Sequence, residues 1–288
     1  MQGGYIHGDG PGEKGWRLEA VMPAITAKAV ETIQQQSKTP EPFFLLFSTT
    51  APHSPIVPTA EFQGKSKAGP YGDFIVQTDH AVGQIVAALK RAGIFENTLV
   101  LVSSDNGPAP FMRERIQTHQ HHPSGPLRGL KRDLLEGGHR VPFIASWPQG
   151  GVHGGRRIDE LLSLTDLFAT MAGIVDAPLE EGVAEDSLDI LPTLRKDIPR
   201  RSELVYHAAN GKLGLRQGSW TYLRRRGITQ EPDWYRELWK GDSIDAPGLL
   251  FDLSRDLGQR NNLYNQFPER VQQMEGHLVE IENGKSTR

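Results

Sequence analysis

Two rhythms of apolar residues alternate along the first half of the chain. Residues 18–36 place Val21, Ile25, Ala29 and Ile33 four apart, which predicts an amphipathic helix, and Pro40 and Pro42 stop it. Phe43–Phe47 is then an unbroken apolar run closing on Ser48-Thr49-Thr50, the pattern of a buried parallel strand. Over 71–92 the helical spacing returns at Ile75, Val82, Ile85/Val86 and Leu89, with Gly93 as the stop. Residues 98–104 predict a second buried strand and 141–147 a third. Helix, strand, helix, strand is the order of an open, mostly parallel α/β sheet.

From about residue 200 the pattern changes. Leu204–His207, Lys212–Arg216 and Trp220–Leu223 are short strands separated by Asn-Gly and Gln-Gly turns, so antiparallel hairpins are expected, and Leu249–Leu253 adds one more. A closing helix starts at about Pro268, with Val271, Met274/Glu275, Leu278 and Ile281 on its inner face. The chain has no internal repeat. The division expected is 1–199, an α/β body, and 200–288, a small antiparallel sheet with a terminal helix.

Composition narrows the function classes. The 288 residues carry a formal net charge of −3, so there is no basic footprint for nucleic acid. No apolar run approaches the ~20 residues that span a bilayer, and Met1-Gln-Gly-Gly-Tyr5 lacks the regions of a signal peptide. Cysteine is absent, which removes disulfides, thiolate metal sites and a cysteine nucleophile. The 31 glycines and 20 prolines point to loops as the place to look.

In open α/β sheets chemistry gathers where strands end. Ala51-Pro-His-Ser-Pro55 follows the first strand and Ser104-Asp-Asn-Gly107 the second. Asp105 and Asn106 offer a carboxylate and an amide oxygen side by side, hard donors of the kind Ca²⁺ or Mg²⁺ takes, although Asp-Asn-Gly is also an ordinary turn. Gly125–Lys131 and Glu136–Pro142 set Lys and Arg among glycines, where charge and backbone together can meet an anion; a solvated loop is the plainer alternative. His119, His121 and His122 lack the i, i+4 spacing of a metal pair and read as loop histidines.

Taken in order, APHSPIVP, LVLVSSDNG, GPLRGLKRDLLEGGHRVPFIASWP, then Leu215–Trp220 and Leu250–Leu263, resemble the formylglycine-dependent sulfatases, the arylsulfatase branch of the alkaline-phosphatase-like superfamily. The resemblance covers nearly the whole chain. It implies that Asp105 and Asn106 ligate a divalent cation, Ca²⁺ ahead of Mg²⁺. It also implies that His53 contacts the sulfate ester at its leaving-group oxygen, and that Lys131 binds the sulfate oxygens. A cation, a lysine and a histidine converging on a sulfuryl group would supply the electrostatic stabilisation such a cleavage needs. Glu136, His139 and Arg140 read as braces of the loop.

The family's nucleophile is a formylglycine made from the Cys or Ser of a C/S-x-P-x-R motif in an N-terminal segment, beside an Asp-Asp metal pair. Neither is encoded here. Ser124-Gly-Pro-Leu-Arg128 has the spacing but belongs to the Lys131 loop. The expectation is therefore the C-terminal part of a sulfatase catalytic domain, inactive by itself, whose parent hydrolyses an aryl or carbohydrate sulfate ester and is exported to the periplasm, the exterior or the lysosome. Two alternatives stand beside it. One is a non-catalytic binding protein, or half of a split enzyme that pairs with a separate N-terminal chain. The other is a phosphatase or phosphodiesterase of the same superfamily, which Asn106 disfavours because those relatives more often carry His there.

Two physical consequences are expected: an uncovered apolar sheet edge that promotes aggregation, and weak Ca²⁺ binding from only two ligands. Specificity is assigned to the loops 108–124 and 224–248. Asp79 and His80 are surface or packing residues, Arg224–Arg226 is a solvated basic run, and Trp234, Tyr235 and Trp239 pack an insertion onto the domain rather than stack on a sugar.

Overall fold

A computed structural model describes residues 14–224, 233–239 and 246–284. The helices are α1 (Val21–Gln36), α2 (Gly69–Arg91), α3 (Arg113–His119), α4 (Glu136–His139), α5 (Asp166–Ile174), α6 (Leu191–Lys196), α7 (Asp233–Trp239) and α8 (Pro268–Glu282). The strands are β1 (Val100–Ser103), β2 (Phe143–Ser146), β3 (Glu203–His207), β4 (Leu213–Gln217), β5 (Trp220–Arg224) and β6 (Gly248–Asp252). The chain divides into two compact units, the first made of Met1–Leu99, Arg113–His121 and Trp147–Gly150, the second of the remainder. Among the described residues no helix is long and apolar enough to cross a membrane.

The first unit is built on α1 and α2. Met22, Thr26, Ala29 and Ile33 form the buried stripe of α1. Its core joins Met22, Ala51, Phe74 and Ala81, with Ile25, Phe47, Ile56 and Val57 packed around them. On α2 the buried face runs through Asp73, Phe74, Gln77, Ala81, Ala88 and Leu89, while Ile75 is exposed. The inner face is thus rotated from the expected Ile75 and Val82, for a polar reason. Asp73 accepts the backbone N–H of Gly64 (2.8 Å) and Ser66 (2.7 Å), and Gln77 accepts that of Thr59 (3.0 Å). Burying those two side chains satisfies loop amides that would otherwise be orphaned.

Residues 43–47 do not form the expected parallel strand. Burial does alternate residue by residue, with Phe43, Leu45 and Phe47 half-buried and Phe44 and Leu46 left 70% and 75% exposed. A strand requires a neighbour to complete its ladder, and no described segment pairs with this one.

In the second unit β1 and β2 form a two-stranded sheet, paired Val100↔Ser146 through Ser103↔Phe143. The pair is antiparallel, so the parallel pairing expected for these strands is not found among the described residues. Beyond residue 200 the expected meander forms: β3-β4-β5-β6 in consecutive antiparallel order. Its turns carry Gly211 (φ +78°) and Gly218 (φ +55°), the left-handed backbone that tight hairpins demand.

Alternation gives this sheet two apolar faces. One packs Leu223, Leu249 and Phe251 with Leu134 and Leu135; the other packs Leu215, Tyr222 and Leu250 with Val271, Met274 and Leu278 of α8. The sheet therefore serves as a backing plate for the loop that carries Leu134 and Leu135.

Candidate active-site loops

Two loops of the second unit are fastened together through their backbones. Gly107 N–H donates to Gly138 O (3.0 Å) and Lys131 N–H to Pro108 O (2.8 Å). The contact demands glycine. A Cβ at Gly137 would sit 2.6 Å from Gly129 O, and one at Gly107 would strike the Gly137 carbonyl. Gly129 itself holds φ +118°. Gly107, Gly129 and Gly137 thus allow main chain to lie directly on main chain.

Several polar residues around this junction are engaged. Glu136 is 1% exposed and meets Arg140 Nη1 at 3.0 Å and Arg216 Nη1 at 3.2 Å through Oε2. Its backbone N–H donates to Gln259 Oε1 (2.7 Å), while Gln259 O accepts from Arg128 Nη1 (3.1 Å). Asp133 caps the turn through Leu135 N–H at 3.0 Å. His139 Nε2–H donates to Leu134 O (3.1 Å), its ring 4.2 Å from that of Tyr206. Burial pushes the His139 imidazole below its ordinary value, against the pull of Glu136, and pushes the Tyr206 phenol up. Glu136, His139 and Arg140 hold the positions expected of braces.

Tyr235 of α7 adds a tie that only a general packing reading anticipated. Its hydroxyl accepts from Gly129 N–H (2.9 Å) and donates to Gly129 O (3.2 Å), and the side chain is fully buried. Gln259 and Tyr235 stand more than a hundred residues from the loop they hold, so no local spacing marks them. Arg225 and Arg226, part of the basic run read from the sequence, lie outside the described residues; Arg224 is ion-paired with Glu275 and Glu282.

Three groups at the junction are unengaged. The carboxylate of Asp105 and the ammonium of Lys131 make no ion pair or hydrogen bond among the described residues. Asn106 donates Nδ2–H to Gly107 O (3.0 Å), which leaves its carbonyl oxygen Oδ1 as a spare acceptor. The structure thus brings Asp105, Asn106 and Lys131 onto one pair of joined loops.

His53 belongs to the first unit, where its side chain is exposed, Nδ1 lies 2.7 Å from Ser54 O, and its backbone N–H donates to Thr50 O (3.1 Å). Among the described residues no group of three or more acidic or histidine side chains gathers as a metal cage. Asp105 and Asn106 are oxygen donors of the right kind for a hard divalent cation, but two are fewer than the about six to eight it takes.

The family model described as Sulfatase matches residues 12–177, more than half of the chain. The chain belongs to the sulfatase family. Among curated sulfatases it is 34% identical to an N-acetylgalactosamine-6-O-sulfatase of Bacteroides thetaiotaomicron over 92% of this chain and 52% of that protein. It is 33% identical to human arylsulfatase A over 85% of this chain and 48% of that one. A solved sulfatase structure from work on glycosaminoglycan metabolism by B. thetaiotaomicron superposes with a TM-score of 0.79 at 32% identity, covering 93% of this chain and 55% of its own. A Pseudoalteromonas sulfatase superposes with a TM-score of 0.76 at 24% identity, over 94% of this chain and 55% of that one, a likeness of fold. The fold is thus the α/β fold of the alkaline-phosphatase-like sulfatases, and the chain spans about half the length of the curated sulfatases it matches.

Proposed function

We propose that the whole protein hydrolyses sulfate monoesters of a carbohydrate substrate, and that this chain supplies the part of the site built on the two joined loops. One observation carries the reading: Asp105, Asn106 Oδ1 and Lys131 are unengaged among the described residues at a junction where Glu136, Asp133 and Arg140 are engaged. An ammonium without a counter-ion, on a loop joined to the one that carries two oxygen donors, is suited to an anion bridged to a divalent cation.

In this reading Asp105 and Asn106 hold the cation through their side-chain oxygens, Ca²⁺ in preference to Mg²⁺. When bound, such a cation polarises sulfuryl oxygens as a Lewis acid. Lys131 binds the sulfuryl oxygens by charge and hydrogen bond, and His53 protonates the departing ester oxygen. The other cation ligands and the formylglycine nucleophile come from a segment that this chain does not encode. Residues 1–199 belong with the catalytic domain, and 200–288 form a small antiparallel part with its closing helix. The similarity to an N-acetylgalactosamine-6-O-sulfatase supports a sulfated amino sugar as the substrate class.

The test is sulfate release from N-acetylgalactosamine 6-sulfate and from an aryl sulfate by the whole protein, compared with its Lys131→Ala and His53→Ala variants. Each variant is expected to lose about 10²-fold or more in kcat, as when one electrostatic donor is removed from a preorganised site. Undiminished turnover by Lys131→Ala would remove the lysine from the site.

A further inference from the structure

Within the first unit, α3 and the start of α2 build a second cationic feature. The Arg115 guanidinium lies over the ring of Tyr71, 3.7 Å from its centroid, and the His121 ring is 6.0 Å from the same centroid. Arg115 and Tyr71 are both partly buried. Burial lowers the basicity of the guanidinium and raises the Tyr71 phenol, so the charge is held where water solvates it incompletely.

No ion pair or hydrogen bond engages the Arg115 guanidinium among the described residues. Glu114 acts on it only at a distance. A guanidinium stacked by its face still has its N–H donors in the plane, directed past the ring edge.

The helix α3 has anchors besides the stack. Ile116 is buried, and the His119 ring fills the notch left by Gly69, whose φ of +68° and lack of Cβ admit it. His119 stands one helical turn beyond Arg115 on α3, so the anchor and the cation neighbour each other on the helix surface.

We infer that Arg115, stacked on Tyr71 and flanked by His121, forms a subsite for an anionic group of an acidic oligosaccharide, a sulfate or a carboxylate. An aromatic face suits the apolar side of a sugar ring, and an in-plane guanidinium edge suits a planar or tetrahedral oxyanion. The oligosaccharide part rests on the sulfatase reading above; the anion part rests on the stack alone.

Two probes separate sulfate from carboxylate: an unsulfated chondroitin hexasaccharide, whose only charges are carboxylates, and its 6-sulfated form. Binding is measured by calorimetry on the monomeric fraction of the 288-residue chain and of Arg115→Gln, Tyr71→Leu and Lys131→Gln. Arg115→Gln is expected to weaken binding of at least one probe about tenfold, the loss of one charge-assisted contact, and Tyr71→Leu to follow it. Loss with the unsulfated probe assigns a carboxylate, and loss with the sulfated probe alone assigns a sulfate.

Arg115→Lys, which keeps charge but loses the planar edge, should recover at most part of the loss. Unchanged affinity in Arg115→Gln, or no binding of either probe by the parent chain, overturns the subsite. A fall in melting temperature with affinity intact overturns it too, by making the stack structural. Lys131→Gln tests the other reading independently, because it should affect only the sulfated probe.

Discussion

Gly137 leaves no room for a methyl group, and the obstacle is backbone rather than a side chain that could swing away. Gly137→Ala should therefore destabilise the second unit by about 1–3 kcal/mol, the cost of overpacking, read as a lower urea midpoint. An unchanged midpoint would mean that the loops part easily. His139 gives a pH signature. Its folded-state basicity is depressed, so the stability it permits is fully present above its ordinary pKa of 6.5 and is lost as pH falls below that value and the unfolded chain takes up the proton. The melting temperature should drop as pH goes from 7 to 5, and His139→Gln should flatten that drop. At this scale the sequence was informative where residues act through near neighbours: Asp105-Asn106, Lys131 and the Glu136–Arg140 brace are visible as short strings. Gln259 and Tyr235 were not, since each acts through a contact closed only by the fold.

Elements defined by their own periodicity or turn chemistry were legible. The Asn-Gly and Gln-Gly turns located β3, β4 and β5 to within a residue or two, and Val271, Met274 and Leu278 are the buried face of α8. The short helices α3, α5, α6 and α7 were not, because six to nine residues give too few turns for a period to emerge. Residues 43–47 carry the composition of a strand, yet the ladder that would make them one depends on a partner. Leu278 is fully buried between α8 and the meander. Leu278→Ala should cost about 2–5 kcal/mol and expose the second face of the sheet to a hydrophobic dye. A loss below about 0.5 kcal/mol, the level of a surface substitution, would show that α8 is not required there.

At the scale of the molecule, the exposed Phe44 and Leu46 lead one to expect that the chain self-associates. Phe44→Ser combined with Leu46→Ser should raise the monomeric fraction in gel filtration at a given concentration. An equally aggregated double variant would move the cause elsewhere. With two oxygen donors the isolated chain should bind Ca²⁺ only weakly, with Kd above about 10⁻⁴ M by calorimetry. Micromolar binding would show that further ligands lie within it.

The placement of α8 has a further effect, on how the protein is made. The ribosome completes all four strands of the meander before it begins the helix that covers Leu215, Tyr222 and Leu250. During that interval the sheet presents an apolar surface to its surroundings, at a synthesis rate of about 5–20 residues per second a window of seconds. A chaperone that recognises exposed aliphatic and aromatic surface has its natural moment there, and deleting residues 268–288 would hold that moment open.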